Sequence, residues 1–129
     1  MDDQRPYRER SWPEKFRNAF HGLKEGIRGQ SSFFVHFFAA AVVIMTAAIL
    51  GMKLTEWCLL LLCMTIVLAA EMFNSALESL AKAVTDRLDP HVGRALNIGS
   101  AAVLITSIGA SMVGTIIFGN WLRKLLDWW

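Results

Sequence analysis

The chain has 129 residues, 54% of them hydrophobic, with a formal net charge of +2 and a mean hydropathy of +0.40. A chain this short and this apolar does not suit an ordinary soluble domain with a polar shell, so the composition indicates a small integral membrane protein. No nucleic-acid partner is expected, because the basic leader also carries five acidic residues and no binding motif follows it.

The first thirty residues are the charged part of the chain. Residues 1–10 are predicted to be disordered and residues 11–30 to form an amphipathic helix, which opens on the capping-box pattern Ser11-Trp-Pro-Glu14. Apolar residues recur there at spacings of three and four, with basic residues between them: Trp12, Phe16, Phe20, Leu23 and Ile27. This pattern is typical of a helix lying in the membrane interface, and packing against the protein's own helices remains an alternative.

Residues 31–129 are predicted to form a three-span membrane domain, which makes the fold class all-α. Each predicted span reaches or exceeds the length of about 20 residues that a bilayer requires. Strands are excluded because the apolar runs are too long and too rich in Ala and Leu. The predicted spans cover about 32–52, 54–81 and 98–118.

The connection between the second and third spans carries the next signal. Asp89-Pro90 is predicted to break the helix, and a short loop through His91 and Gly93 is expected to lead into the third span. Ten of the thirteen Lys and Arg residues lie in this connection or ahead of the first span, and three lie on the other side. This excess predicts a multi-pass membrane protein with a cytoplasmic N-terminus.

Glu71, Asn74 and Glu78 form one polar stripe at the cytoplasmic end of the second span. Their spacing of i, i+3 and i+7 places them within roughly 60° of one another on a helix. Carboxylates at membrane depth are costly unless they are paired or bind an ion. The stripe suits a divalent cation such as Mg²⁺ held together with phosphate oxygens, or one carboxylate acting as a base. A polar network that only fixes helix packing, or a pair between Glu78 and Lys82, would explain the stripe without chemistry.

The polar stripe also predicts that the chain assembles with further copies of itself. Three helices are predicted to enclose a charged site poorly, so a second copy of the chain would cover Glu71 from lipid. The third span offers a close-packing face, because small residues repeat there every four positions: Ala102, Thr106, Ala110 and Gly114.

Other catalytic patterns are absent from the sequence. It has no phosphate-binding glycine loop of the soluble type, no Ser-His-Asp set and no zinc constellation. His21, His36 and His91 have no close His or Cys partner, so they are predicted to be interfacial or structural.

The polar stripe resembles a motif of the small prokaryotic diacylglycerol kinase and undecaprenol kinase family, which carries Glu-x-x-Asn-Ser/Thr-Ala-x-Glu in its second span. Here the segment reads Glu71-Met-Phe-Asn74-Ser-Ala-Leu-Glu78. The similarity extends over Phe16 to Phe118 and includes Phe20-His-Gly22, His36, Leu54-Thr-Glu-Trp57, Gly93-Arg-Ala and Gly99-Ser-Ala-Ala-Val-Leu. It implies a homotrimer that moves the γ-phosphate of MgATP to a membrane lipid hydroxyl of the diacylglycerol or undecaprenol type.

The resemblance also implies roles for individual residues. Glu71 would be the catalytic base, and Asn74 and Glu78 would hold the nucleotide, with Glu78 also a metal ligand. Gln30 and Asn97 would contact the nucleotide from positions where the family carries acidic residues, and Gln30 would be a weak metal ligand.

The chain departs from the family pattern at several charged positions. Leu96-Asn97 replaces a Lys-Asp pair, Gln30 replaces a Glu, and Lys82 replaces an acidic residue one turn after Glu78. Phosphoryl transfer depends on positioning and on stabilisation of charge, so these losses should weaken ATP and metal binding. Lys82 would partly replace the missing Lys.

Three functions are left open by these patterns. The first is an MgATP-dependent lipid kinase, favoured by the retained Glu71, Asn74 and Glu78. The second is a catalytically silent relative that acts as a membrane structural or interaction module, favoured by Gln30, Leu96 and Asn97. The third is passage of ions or protons along the stripe, which would require polar residues deeper in the spans.

Overall fold

The computed structural model describes residues 9–28, 31–87 and 89–127. They form four helices, which are α1 (Trp12–Ile27), α2 (Ser31–Ile49), α3 (Leu54–Val84) and α4 (Pro90–Leu126). In this part of the chain all regular structure is helical, and α2, α3 and α4 are each long and apolar enough to cross a membrane. The all-α, three-span prediction is therefore confirmed. The disorder predicted for residues 1–10 falls mainly on residues 1–8, which lie outside the described residues.

Helix α3 is the centre of the fold, because α1, α2 and α4 all pack against it. A small apolar core lies where α2 ends and α3 begins, and it consists of Ala47, Met52, Leu60 and Ile117. This core fixes one end of the three long helices. The polar stripe lies toward the other end of α3, where α2 and α4 begin.

The turn between α2 and α3 follows from one glycine. Gly51 has a φ of +63°, a conformation that residues with a Cβ atom rarely adopt, and Met52 N donates to Ala47 O across it. The chain then restarts as a helix at Leu54, where Lys53 N donates to the Glu56 carboxylate over 2.8 Å. The tight turn holds α2 against α3.

The start of α4 corrects one sequence prediction. The break at Asp89-Pro90 is confirmed, but the loop expected through His91 and Gly93 is wrong, because both residues lie inside α4. The Asp89 carboxylate accepts from His91 N at 2.8 Å and Val92 N at 3.2 Å, and Pro90 occupies the first turn, where its missing donor is harmless. Helix α4 thus begins two turns before Ile98, and Leu96 and Asn97 lie on regular helix.

Most of the outer surface of the long helices is apolar. Large side chains are exposed along α2 and α4, among them Phe34, Phe38, Leu104, Ile105 and Ile116. The apolar face of α1 is exposed too, with Trp12 at 71% and Phe20 at 72%, whereas Gly26 lies against Met72 of α3. Among the described residues, α1 therefore contacts α3 through its last turn. Such surfaces suit lipid rather than water.

Candidate active site

The polar stripe of α3 is turned into the protein. Glu71 is 3% exposed, and Asn74 and Ser75 are 8% exposed. All three follow the mostly apolar first half of α3. Glu78 follows one turn later and is half-buried. Positions three, four and seven residues apart share one helix face, so these four side chains form a continuous polar surface. Ser75 was not among the predicted site residues.

Glu71 is paired with His36 of α2. The His36 Nε2 atom lies 3.1 Å from Glu71 Oε1, and the two side chains are only 22% and 5% exposed. Sequence reasoning gave His36 an interfacial or structural place and missed this contact. An ionisable residue inside an apolar span is the signal that points to it, since such residues usually face a partner.

The burial of Glu71 also corrects an argument about assembly. A second copy was expected to cover this carboxylate from lipid, but within one chain Glu71 is already 3% exposed. On the α2 side, His36 lies against this carboxylate. The prediction that oligomerisation is needed to shield Glu71 from lipid is therefore wrong. The homotrimer itself stays a prediction.

Asn74 connects the stripe to the next turn and to α4. Its Nδ2 donates to Glu78 Oε1 over 3.1 Å. Its Oδ1 is buried and accepts no hydrogen bond from the residues that the structure describes, and the same holds for Ser75 Oγ. Oδ1 is directed at Gly99, where an added Cβ atom would lie only 2.7 Å away. A buried acceptor without a donor is costly, which is the state expected of a group that awaits a ligand.

The remaining predicted residues lie around this cluster. Leu96 is half-buried one turn before Gly99, whereas Asn97 is exposed and outside the buried cluster. Lys82 is exposed one turn beyond Glu78. Gln30, which sequence reasoning placed at the nucleotide and metal, lies outside the described residues. The structure thus brings Glu71, Asn74 and Glu78 together, and Asn97 is exposed on α4 two residues before Gly99, which contacts Asn74.

The oxygen donors of the cluster can be compared with what a cation requires. In the described part of the chain no group of three or more His, Cys, Asp or Glu side chains is placed to hold a metal ion. The carboxylate of Glu78 and the unpartnered Oδ1 of Asn74 nevertheless lie on neighbouring turns. Magnesium is commonly held by one or two carboxylates plus substrate phosphates rather than by a complete protein cage. This donor set fits an ion that arrives with a phosphate.

A groove of about 430 Å³ lies between α2 and α4, with α3 as its floor. Its walls are mainly apolar or small, with the hydroxyl groups of Ser107, Ser111 and Thr115 on the α4 side. The groove reaches His36, so the imidazole borders this space on one side and Glu71 on the other. The imidazole therefore lies between the groove and the Glu71 carboxylate.

Comparison with known proteins adds a family to this geometry. The family model described as prokaryotic diacylglycerol kinase matches residues 17–118. An undecaprenol kinase from Bacillus subtilis (strain 168) is 25% identical over 105 residues, which cover 81% of this chain and 85% of that protein. A diacylglycerol kinase from Synechocystis sp. is 27% identical over 118 residues, covering 86% of this chain and 67% of that protein. The matched region contains α2, α3 and the whole polar stripe.

Proposed function

The chain belongs to the prokaryotic diacylglycerol kinase family, and we propose that it transfers the γ-phosphate of ATP to the hydroxyl of a membrane lipid of the diacylglycerol or undecaprenol type. The observation that carries the proposal is the cluster of buried Glu71 and Asn74 with half-buried Glu78 within the matched segment. The names of the two relatives support a lipid alcohol as acceptor.

Glu71 is the proposed catalytic base. The lipid hydroxyl oxygen attacks the γ-phosphorus, the bond from that phosphorus to the bridging oxygen of ADP breaks, and Glu71 takes the hydroxyl proton. Its Oε1 is engaged by His36, so Oε2 is the atom assigned to the proton. A base must lie within hydrogen-bond reach of the proton it accepts, and a lipid hydroxyl reaches this depth because the stripe lies at the end of a membrane span.

Asn74 and Glu78 are the proposed contacts to nucleotide and Mg²⁺. When bound, Mg²⁺ neutralises charge on the phosphates. The Glu78 carboxylate would hold the ion, and the unpartnered Oδ1 of Asn74 supplies a second oxygen in reach of the same region. Asn97 and Gln30 are proposed as further nucleotide contacts, with Gln30 a weak metal ligand. Their neutral side chains predict weaker binding of MgATP than carboxylates would give.

The site is proposed to work at the cytoplasmic surface of the inner membrane. The excess of Lys and Arg before α2 and between α3 and α4 supports a cytoplasmic N-terminus. The exposed apolar face of α1 would lie in the interface beside the stripe. A homotrimer is proposed as well, on the family resemblance and on the apolar surfaces that α2 and α4 leave exposed.

Transfer of labelled phosphate tests the function. The purified protein in lipid bicelles is given γ-labelled ATP and Mg²⁺ with diacylglycerol, undecaprenol or another long-chain alcohol in turn, and Glu71→Gln serves as the inactive control. Label in at least one extracted lipid with wild type, and about 10² less with the variant, is expected. A folded wild-type protein that labels none of these lipids would contradict the proposal.

That negative result would favour a second function, a membrane structural or interaction module. The feature that favours it is Leu96-Asn97 in the early part of α4, where the family resemblance implies a Lys-Asp pair and where the Leu96 side chain has no group that can contact a phosphate.

A further inference from the structure

We propose that His36 is a positioning residue for Glu71, a role that rests on the proposed function. His36 is the one ionisable side chain of α2, whose other members are apolar or small hydroxyl residues. Its neighbours Val35 and Phe37 are 62% and 44% exposed, so at this position α2 turns the imidazole toward α3 and the two flanking apolar residues outward. The orientation of α2 is thus the one that brings the imidazole to the carboxylate.

The contact joins two helices and is shielded from solvent. Nε2 of His36 and Oε1 of Glu71 are 3.1 Å apart, with side-chain exposures of 22% and 5%. The pair of His21 and Glu25 offers a comparison inside the same chain, because it spans 3.4 Å on one helix with both side chains about 70% exposed. Surface pairs of that kind contribute little, whereas a donor to a buried carboxylate offsets a large desolvation cost.

The proposed role of His36 depends on which oxygen of the Glu71 carboxylate it contacts. With a hydrogen on Nε2, neutral and protonated imidazole alike donate to Oε1, and this bond fixes the rotation of the carboxylate. Oε2 is then held in one direction for the lipid hydroxyl. A base oriented by a third group recurs wherever a side chain must accept a proton in a defined geometry. The imidazole also lines the groove between α2 and α4, so it separates Glu71 from that space.

Two substitutions of His36 by residues of similar volume distinguish the effect of its hydrogen-bond donor from the effect of its packing. His36→Met fills the site without a hydrogen-bond donor, and His36→Gln keeps an N–H group. In an active wild-type protein, His36→Met should lower kcat by about 10-fold to 100-fold, because misplacing a reacting group by about 1 Å has an effect of this size. His36→Gln should recover most of the rate, and KM for ATP should change little in either variant. Thr46→Val is the matched control in α2, since Thr46 only donates to Val42 O of its own helix.

The decisive comparison uses the Glu71→Gln background. If His36 acts through Glu71, His36→Met should cause no further loss there, because residues that work as a unit are not additive. An equal loss in both backgrounds, or no loss in wild type, would overturn the positioning role and leave the proposed function standing. A wild type that labels no lipid would overturn the function and the role together.

Histidine ring ¹⁵N NMR tests the contact without any activity. In the wild-type protein labelled at histidine nitrogen, Glu71→Gln should move the ring signals of His36, while those of His21 and His91 stay in place as internal references. An unmoved His36 signal would mean that the two side chains do not touch, and the proposal would be wrong. This measurement also decides the matter if neither His36 variant folds.

Discussion

Gly99 of α4 lies against Asn74 of α3 so closely that a Cβ atom at residue 99 would come within 2.7 Å of Asn74 Oδ1. The same atom would lie 2.9 Å from Leu77 Cδ1. The missing side chain therefore lets the α4 backbone approach the buried amide, as small residues do between membrane helices. The Asn74 side chain is held between this backbone and Glu78.

Gly99→Ala should disturb both packing and the site. The new methyl group forces Asn74 and Leu77 to shift, and overpacking of this kind typically costs about 1–3 kcal/mol of stability. We expect a lower Tm in detergent and a higher KM for ATP, measured by thermal unfolding and by phosphate transfer. Gly119→Ala is the control, because nothing lies within 4 Å of a Cβ atom there. Equal effects of the two substitutions would contradict a specific role for Gly99.

Removing the charge of Glu71 and removing the charge of Glu78 should change different kinetic parameters. Glu71→Gln removes the proposed proton acceptor, so kcat should fall by about 10² or more while ATP binding changes less. Glu78→Gln should instead raise the Mg²⁺ and ATP concentrations needed for half-maximal transfer. Titrations of both ligands with each variant separate the two effects.

Glu56→Gln is the control for removing a carboxylate from the same helix. Glu56 accepts from Lys53 N at the opposite end of α3, and Gln can still accept this bond. It should leave transfer unchanged. Small and equal effects at Glu71 and Glu78 would mean that the stripe is a packing network.

The stripe could be predicted from sequence because helix periodicity alone places residues three, four and seven apart on one face. The partner of Glu71 could not, since the contact with His36 depends on the register of α2 against α3, which no local pattern encodes. The start of α4 was missed for a different reason. A Pro within a helical pattern predicts a break followed by a loop, but Pro90 begins α4, with Asp89 as its N-cap.

Topology can be measured with reporter fusions. The ten-to-three distribution of basic residues predicts a cytoplasmic N-terminus and an external C-terminus. A periplasm-active reporter should be silent at Met1 and active after Trp129. The opposite pattern would place Glu71 and Glu78 away from ATP and would contradict the kinase proposal.

Assembly should yield a homotrimer in mild detergent, detected by cross-linking and by mass measurement. Gly114 and Ala110 line the groove between α2 and α4, where a neighbouring helix would find small side chains. Gly114→Leu fills that space and should loosen the trimer. Gly109→Leu is the control, because Gly109 is exposed and does not line this groove. A protein that cross-links only as a monomer would contradict the shared assembly.

The missing charges give the sharpest prediction about activity. By the family resemblance, Gln30 and Asn97 would stand at carboxylate positions of the family and Leu96 at the position of a Lys. The wild type should therefore need more Mg²⁺ and ATP than relatives with the full set. Gln30→Glu, Leu96→Lys and Asn97→Asp made together should raise transfer at low Mg²⁺, because a hard dication gains more from a carboxylate than from an amide oxygen. Initial rates over a Mg²⁺ series, for wild type and triple variant, measure this.

Single reversions serve as controls for the triple change and should each do less, since residues acting as a unit are not additive. The exposure of Asn97 fits this expectation, because a lone carboxylate there would face solvent rather than the buried cluster. If the triple variant is folded but remains inactive, the loss of phosphate transfer is due to other residues. This outcome would favour the function as a structural module. If the wild type is instead fully active at low Mg²⁺, the charges are compensated, with Lys82 as the first candidate. Lys82→Ala should then abolish transfer, because it removes an exposed ammonium group one turn beyond Glu78.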